Sequence, residues 1–267
     1  MNKQYLNELL LPVSNIAVQA GILINTFYKT HLKISYKDNK SPLTEADMAS
    51  NKYIINSLLK LNSDIPILSE ETLVEWRLRK DWSKYWLVDP LDGTKEFINQ
   101  NDEFTVNIAL IENNYPVLGV IYAPALSLLY YANLGGGSYK LNPSSEIKSL
   151  TQSIKIRCKK KNKSDKINII GSKSHFNQEV ETWAKKNFAK FDIIKKGSSL
   201  KFCEIAEGKV DIYPRFGPTS EWDIAAGNII LSEAGGNIKS LDGKKILYNN
   251  KESIVNPSFV AYGNINN

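Results

Sequence analysis

Trp86-Leu87-Val88-Asp89-Pro90-Leu91-Asp92-Gly93-Thr94-Lys95-Glu96-Phe97 is the stretch from which the rest of the chain is read. The apolar run Trp86 to Val88 predicts a buried strand, and it delivers two carboxylates, Asp89 and Asp92. Pro90 cannot donate a ladder hydrogen bond, so the strand is expected to stop there. Gly93 lets the backbone turn and lets a ligand approach closely. Lys95 to Ile98 can begin a helix, with Asp92 or Thr94 near its N-cap. A strand that ends in acids and turns into a helix start can hold hard cations and phosphate together.

Upstream, Tyr5 to about Thr30 carries apolar residues at helical spacing, from Leu6, Leu9 and Leu10 to Ala20 and Ile24. Pro12 lies inside this pattern, as a kink or as the mark of a later start. Thr44 and Asp47 have the spacing of a capping box, with Asp in place of Glu, ahead of a helix that runs to about Leu61. Ile65 to Leu68 is a short apolar strand leading to Ser69-Glu70-Glu71. Downstream, Phe104 to Ile111, Val117 to Tyr122, Leu128 to Ala132 and Ser138 to Leu141 are separated by turn-like segments and predict an antiparallel meander. Lys155 to Lys166 is strongly basic and is read as a solvated loop near a division into halves 1–155 and 156–267. Beyond it strands and helices alternate: Ile167 to Ile170, Gln178 to Ala189, Phe191 to Ile194, Leu200 to Glu207, Val210 to Tyr213 and Ile224 to Ala234. Asn237 to Ser240 and Phe259 to Tyr262 close the chain. The pattern is a mixed α+β and α/β one.

At 267 residues and 42% hydrophobic composition the chain can bury a substantial core. Its 34 Lys and Arg against 28 Asp and Glu leave a formal charge of +6. That suits anionic small molecules or an anionic surface, and does not by itself point to a nucleic-acid polymer. Cys158 and Cys203 form no CxxC pair and no disulfide framework, which favours a reducing cytoplasm. The opening residues lack the basic-then-apolar layout of a signal peptide. No run approaches 18 uninterrupted apolar residues, so no membrane span is expected.

Four acids stand at predicted element ends: Glu71, Asp89, Asp92 and Asp223. Any one of them reads as a helix-start acid or cap. Together, in a chain with only 2 His, they suit Mg²⁺ or Mn²⁺ rather than Zn²⁺. Several carboxylates around two or three hard cations are a known recipe for phosphate-ester hydrolysis.

Glu70-Glu71, Asp89-Pro90-Leu91-Asp92-Gly93-Thr94 and Trp222-Asp223-Ile224-Ala225-Ala226-Gly227 resemble, in order, the signatures of the lithium-sensitive, Mg²⁺-dependent inositol monophosphatase superfamily. The resemblance implies a layered α/β/α/β/α sugar-phosphatase fold of two closely packed halves with the active site between them. Lys95-Glu96-Phe97 after Thr94, Gly171-Ser172-Lys173-Ser174-His175, Gly197-Ser198-Ser199-Leu200-Lys201 and Asp211-Ile212-Tyr213-Pro214-Arg215 look like the bacterial 3′(2′),5′-bisphosphate nucleotidases within it. By resemblance, Glu71, Asp89 and the Leu91 carbonyl hold one Mg²⁺. Asp89, Asp92 and Asp223 hold a second, and a third, weaker ion sits at Glu71. Asp47 and Thr94 activate the attacking water. The Gly93 and Thr94 N–H groups cradle the scissile phosphate. Ser172, His175, Ser198, Lys201 and Arg215 face the nucleotide, as does Asp223. The implied reaction is hydrolysis of the 3′-phosphate of adenosine 3′,5′-bisphosphate, or of its sulfated form, in sulfate assimilation. An inositol- or sugar-phosphate phosphatase uses the same metal acids, and a non-catalytic binder would not need the Asp47–Thr94 pair. The resemblance also implies a cytoplasmic enzyme that can associate with the inner face of a membrane.

Overall fold

The computed structural model describes residues 3–30, 34–36, 42–143, 145–162, 164–174 and 178–266. The chain opens with α1 (Lys3–Phe27), the short antiparallel strands β1 (Ile34–Tyr36) and β2 (Pro42–Thr44), and α2 (Glu45–Leu61). Pro12 lies within α1 and does not delay its start. Next come β3 (Ile67–Ser69), α3 (Trp76–Arg79), β4 (Lys84–Asp92) and α4 (Thr94–Ile98). The predicted meander follows as β5 (Thr105–Glu112), β6 (Tyr115–Ala123), β7 (Leu128–Asn133) and β8 (Gly137–Leu141), and a further strand not expected from the sequence, β9 (Ile154–Ile156), extends it. These form one seven-stranded sheet in sequence order from β3, antiparallel except for the parallel pair β3–β4.

The chain continues with β10 (Lys160–Asn162), β11 (Ile167–Ser172), α5 (Gln178–Asn187), β12 (Phe191–Lys196), α6 (Leu200–Ala206) and β13 (Ile212–Arg215). It ends with α7 (Glu221–Glu233), β14 (Asn237–Ser240), β15 (Phe259–Tyr262) and β16 (Asn264–Asn266). A five-stranded mixed sheet has the order β12-β11-β13-β15-β14, and β10 pairs in parallel with β16. The basic segment is therefore partly strand rather than one open loop.

Alternation along the strands builds the layers. In β4, Trp86 and Val88 join the core under α1 and α2, while Tyr85 and Leu87 join a second core under α6 and α7. Ile108 and Leu110 against Ala109 and Ile111 repeat this division in β5. Strands buried on both faces read as unbroken apolar runs, which is why Trp86 to Val88 stood out. In the five-stranded sheet, Tyr213, Phe259 and Ala261 face α6 and α7, whereas Ile167, Ile169 and Ile212 pack with Val180 and Ala184 of α5. The order is α1/α2, seven strands, α6/α7, five strands, α5, which is the expected α/β/α/β/α layering. The central core draws residues from both sides of the 155/156 division.

Helix α7 is buried almost all round from Trp222 to Leu231, as befits a helix between two sheets. It comes so close to β6 that a Cβ on Gly119 would lie 2.4 Å from Ile229 Cγ2 and 2.7 Å from the Ala226 carbonyl oxygen. Helix α1 has the length and mean hydropathy, 1.5, of a membrane span. The absence of an uninterrupted apolar run understated this. More than half of its apolar window is buried against the first sheet and α2, however, which is how a core helix is disposed.

Pro90 does not end its strand. Ladder pairing runs to Asp89↔Asn107 and resumes at Asp92↔Thr105, with a register shift between. Pro90 and Leu91 fall in that irregularity, where a residue lacking an N–H breaks no ladder bond. The shift presents Asp89 and Asp92 together at the strand's end.

Candidate active site

Glu70 and Glu71 are the central residues of a tight turn closed by the Thr72 N–H donating to the Ser69 carbonyl at 3.1 Å. The turn is tied to α2: Ser69 Oγ donates to Asn51 Oδ1 (2.7 Å), and Asn51 Nδ2 donates to Thr72 Oγ1 (3.0 Å). The Glu70 N–H donates to the Val88 carbonyl at 3.1 Å, which holds Glu70 beside Asp89. Glu70, Asp89 and Asp223 offer carboxylate oxygens that all lie within 4.8 Å of one another. Glu71, expected in this place from the sequence, is not among them and does not line the cleft. The two middle residues of a turn project differently, and a Glu-Glu pair does not announce which one enters.

Two of the acids are set by helix starts. Thr44 caps α2 in a capping box whose third residue is Asp47, and Ser220 caps α7 in a second whose third residue is Asp223. Asp47 Oδ2 accepts from the Thr44 N–H at 2.8 Å and from its hydroxyl, and Oδ1 accepts from Thr94 Oγ1 at 3.1 Å. Asp223 Oδ2 accepts from the Ser220 N–H at 2.8 Å. Each box occupies one oxygen and leaves the other for the site.

Asp92 lies beside the three-acid group and reaches across the molecule. Its Oδ2 accepts from the Ser199 N–H at 2.6 Å, and Ser199 Oγ donates to Asn107 Oδ1 at 2.7 Å. Gly93 has φ 88°, and a Cβ there would lie 3.2 Å from the Glu103 carbonyl oxygen. That left-handed, crowded position suits glycine alone. Thr94 Oγ1 also lies 3.3 Å from the Leu91 carbonyl oxygen. Helix α4 has only five residues, so any help it gives an anion comes from its first N–H groups rather than a long macrodipole.

A cleft of 580 Å³ gathers Glu70, Asp89, Leu91, Asp92, Gly93, Thr94 and Asp223 with Ser172, Ser198, Lys201 and Arg215. Asp47 touches it through Thr94. His175, assigned to the nucleotide from the sequence, lies outside the described residues. The Lys201 ammonium donates to the Ser198 carbonyl at 2.5 Å and sits 5.2 Å from the centre of the Tyr213 ring. Arg215 donates from Nε to the Gly217 carbonyl (3.1 Å) and from Nη2 to the Pro218 carbonyl (2.9 Å). The cleft thus brings cations among the acids, Lys201 acting on Asp92 and Arg215 on Asp223.

Burial pushes the Asp89 carboxyl well above the usual range, and Glu70, Asp92, Asp223 and Asp47 push it further by repulsion. Asp223 is raised in the same way, first by burial and then by Asp92 and Glu70. Burial raises Asp92 to about 6 against the pull of Lys201. Burial also raises Asp47, against its hydrogen bonds from Thr44 and Thr94. Lys201 is lowered to about 8 by burial, with Asp92 working the other way. Crowded carboxylates that repel one another are what a bound cation relieves, and an all-oxygen donor set selects a hard one. The residues present therefore fit Mg²⁺ or a similar ion. Sequence reasoning missed Glu70, and it missed the Ser199–Asn107 support of Asp92, whose partners are far apart in the chain.

The model of the inositol monophosphatase family matches residues 6–266. The 3′(2′),5′-bisphosphate nucleotidase CysQ of Salmonella typhimurium is 43% identical over 249 residues, 92% of this chain and 96% of the relative. That of Haemophilus influenzae is 37% identical over 98% of this chain and 94% of its own. The crystal structure of CysQ from Bacteroides thetaiotaomicron, a bacterial member of the inositol monophosphatase family, superposes with a TM-score of 0.86 at 37% identity. That match covers 98% of this chain and 99% of the other.

Proposed function

The chain belongs to the inositol monophosphatase family, and from that premise we propose that it is a Mg²⁺-dependent phosphatase removing the 3′-phosphate of adenosine 3′,5′-bisphosphate. The observation that carries the reading is the meeting, in one cleft, of the acids Glu70, Asp89 and Asp223 with the Asp47–Thr94 pair and the cations Lys201 and Arg215. The sulfated form of the nucleotide is a second substrate of the same cleft under this reading.

Glu70, Asp89, Asp92, Asp223 and the Leu91 carbonyl would hold the ions, with Mn²⁺ able to replace Mg²⁺ on the same oxygen donors. Bound there, the ions neutralise phosphoryl charge and make a water more acidic. The chain's own residues do the rest. Thr94 Oγ1 donates to Asp47 Oδ1, so its lone pairs face outward to accept a proton from the attacking water. As that proton reaches Thr94, the Thr94 proton passes to Asp47, whose burial suits it to be the final acceptor. The Gly93 and Thr94 N–H groups orient the phosphoryl oxygens. Lys201 and Arg215, which line the same cleft, take the second phosphate, which gives a bisphosphate the advantage over a monophosphate. Cys158 and Cys203 are both buried free thiols, consistent with a reducing cytoplasm as the place of reaction.

Phosphate release from adenosine 3′,5′-bisphosphate, inositol 1-phosphate and fructose 1,6-bisphosphate, with Mg²⁺ and with EDTA, tests this. The bisphosphate nucleotide should have the highest kcat/KM and lose turnover in EDTA. Preference for inositol 1-phosphate would overturn the nucleotide assignment, and full turnover in EDTA would overturn the metal site.

A further inference from the structure

The wall of the cleft next to Gly93 carries a carboxylate that the hydrolytic scheme leaves unused. Glu96, on α4, is only 5% exposed yet lines the cleft. Its Oε1 accepts from the Ser174 hydroxyl. Its Oε2 turns back towards Gly93, where an added Cβ would lie 3.4 Å from it. Among the described residues, Ser174 is the only hydrogen-bond donor to the Glu96 carboxylate, and no Lys or Arg forms an ion pair with it.

This acid adds negative charge next to Asp92. Lys201 offsets that charge in part, without bonding to the carboxylate. A carboxylate can only accept hydrogen bonds, so the partner that would compensate for it is a donor. A nucleotide 3′,5′-bisphosphate has hydroxyl and amino donors. Only the ribose 2′-hydroxyl is on the carbon next to the scissile ester, and Glu96 Oε2 lies by Gly93, whose N–H is assigned to that phosphate. We propose that Glu96 is a specificity-determining residue whose Oε2 accepts a hydrogen bond from the hydroxyl vicinal to the scissile phosphate, an inference that rests on the nucleotide reading above. The base amino group lies away from the ester and is the rival donor.

The test compares kcat/KM for adenosine 3′,5′-bisphosphate, its 2′-deoxy analogue and inosine 3′,5′-bisphosphate, in the wild type, Glu96→Gln and Glu96→Ala. A hydrogen bond to a charged acceptor predicts that the wild type favours the ribonucleotide over the 2′-deoxy analogue by about 10-fold or more. Glu96→Ala should bring that ratio to within about 3-fold of unity while its rate on the 2′-deoxy analogue stays near the wild-type value. Glu96→Gln keeps the shape and one acceptor oxygen, and should give an intermediate ratio even if the alanine variant folds poorly. A ratio unchanged by either variant would overturn the proposal. So would equal losses on both substrates, which would make Glu96 only a support for Ser174. Discrimination against inosine that depends on Glu96 would reassign the contact to the base. If the wild type hydrolyses none of the three, the functional reading itself fails and the proposal with it.

Discussion

Replacing Asp92 with Asn separates what this acid contributes with a cation bound from what it costs the fold without one. Its carboxyl is raised by burial from 3.8 to about 6. A carboxyl raised in the folded state stabilises the fold below its unfolded pKa and loses that contribution as the pH climbs through the folded value. The window here runs from about pH 4 to about pH 6. At pH 8, without metal, ionised Asp92 therefore costs the fold about 3 kcal/mol, at 1.36 kcal/mol for each pKa unit. Asn removes the charge and keeps an acceptor for the Ser199 N–H, now 2.6 Å from Oδ2. The bond from Ser199 already enters the net shift, so the metal-free variant should be more stable than the wild type by about 3 kcal/mol at pH 8, or about 6 °C in Tm for a chain of this length. At pH 3 the advantage should largely vanish, because Asp92 is then mostly protonated in the unfolded chain as well as in the folded one. With Mg²⁺ the order should reverse. The wild type gains about 4.1 kcal/mol at 1,000 times its dissociation constant, and the variant gains much less. Differential scanning calorimetry in EDTA and in Mg²⁺ at the two pH values reads all four cases, and turnover of the variant should be lost. A variant less stable than the wild type in EDTA at pH 8, or equal Mg²⁺ gains in the two proteins, would refute the account of Asp92.

Glu70→Gln should weaken Mg²⁺ activation by about 10-fold or more, whereas Glu71→Gln should leave the Mg²⁺ titration of activity close to wild type; the reverse result would restore the glutamate first expected from the sequence. Thr94→Ala should lower kcat by about 10²-fold or more with little change in KM, and Thr94→Ser should recover most of the rate, as steady-state kinetics will show. Gly119→Ala should destabilise the fold by about 1–3 kcal/mol in urea denaturation, since α7 has no space to withdraw from β6 between the two sheets.

The layers were legible because burial on both faces leaves a mark. Trp86 to Val88, Ile108 to Ile111 and Val117 to Tyr122 are continuous apolar runs, and α7 from Ile224 to Leu231 is apolar but for Asn228. The strands β1, β2, β10 and β16 were not legible. Each has three residues, and β1, β10 and β16 are mostly exposed, so no periodicity could accumulate. Continuation of β4 past Pro90 was hidden because the register shift that accommodates proline depends on the partner strand. The support of Asp92 by Ser199 joins residues 107 positions apart. No local pattern encodes such a contact.

The acids that could be read fared best where chemistry and local folding share a residue. Asp47 and Asp223 both hold the third helical position after a Thr or Ser cap, and each gives one oxygen to the start of its helix. The capping box thereby fixes the side chain's rotation as well as its backbone position, so the second oxygen has a defined direction before any ligand arrives. In Asp47 that oxygen meets Thr94, and in Asp223 the carboxylate meets Glu70 and Asp89. A helix-start acid and a site acid are therefore the same residue twice over, and choosing between the two readings was never required. Glu70 lacks this reinforcement. It stands in a turn whose shape is imposed by Asn51 of α2 and Val88 of β4, so its identity emerges only when those elements meet.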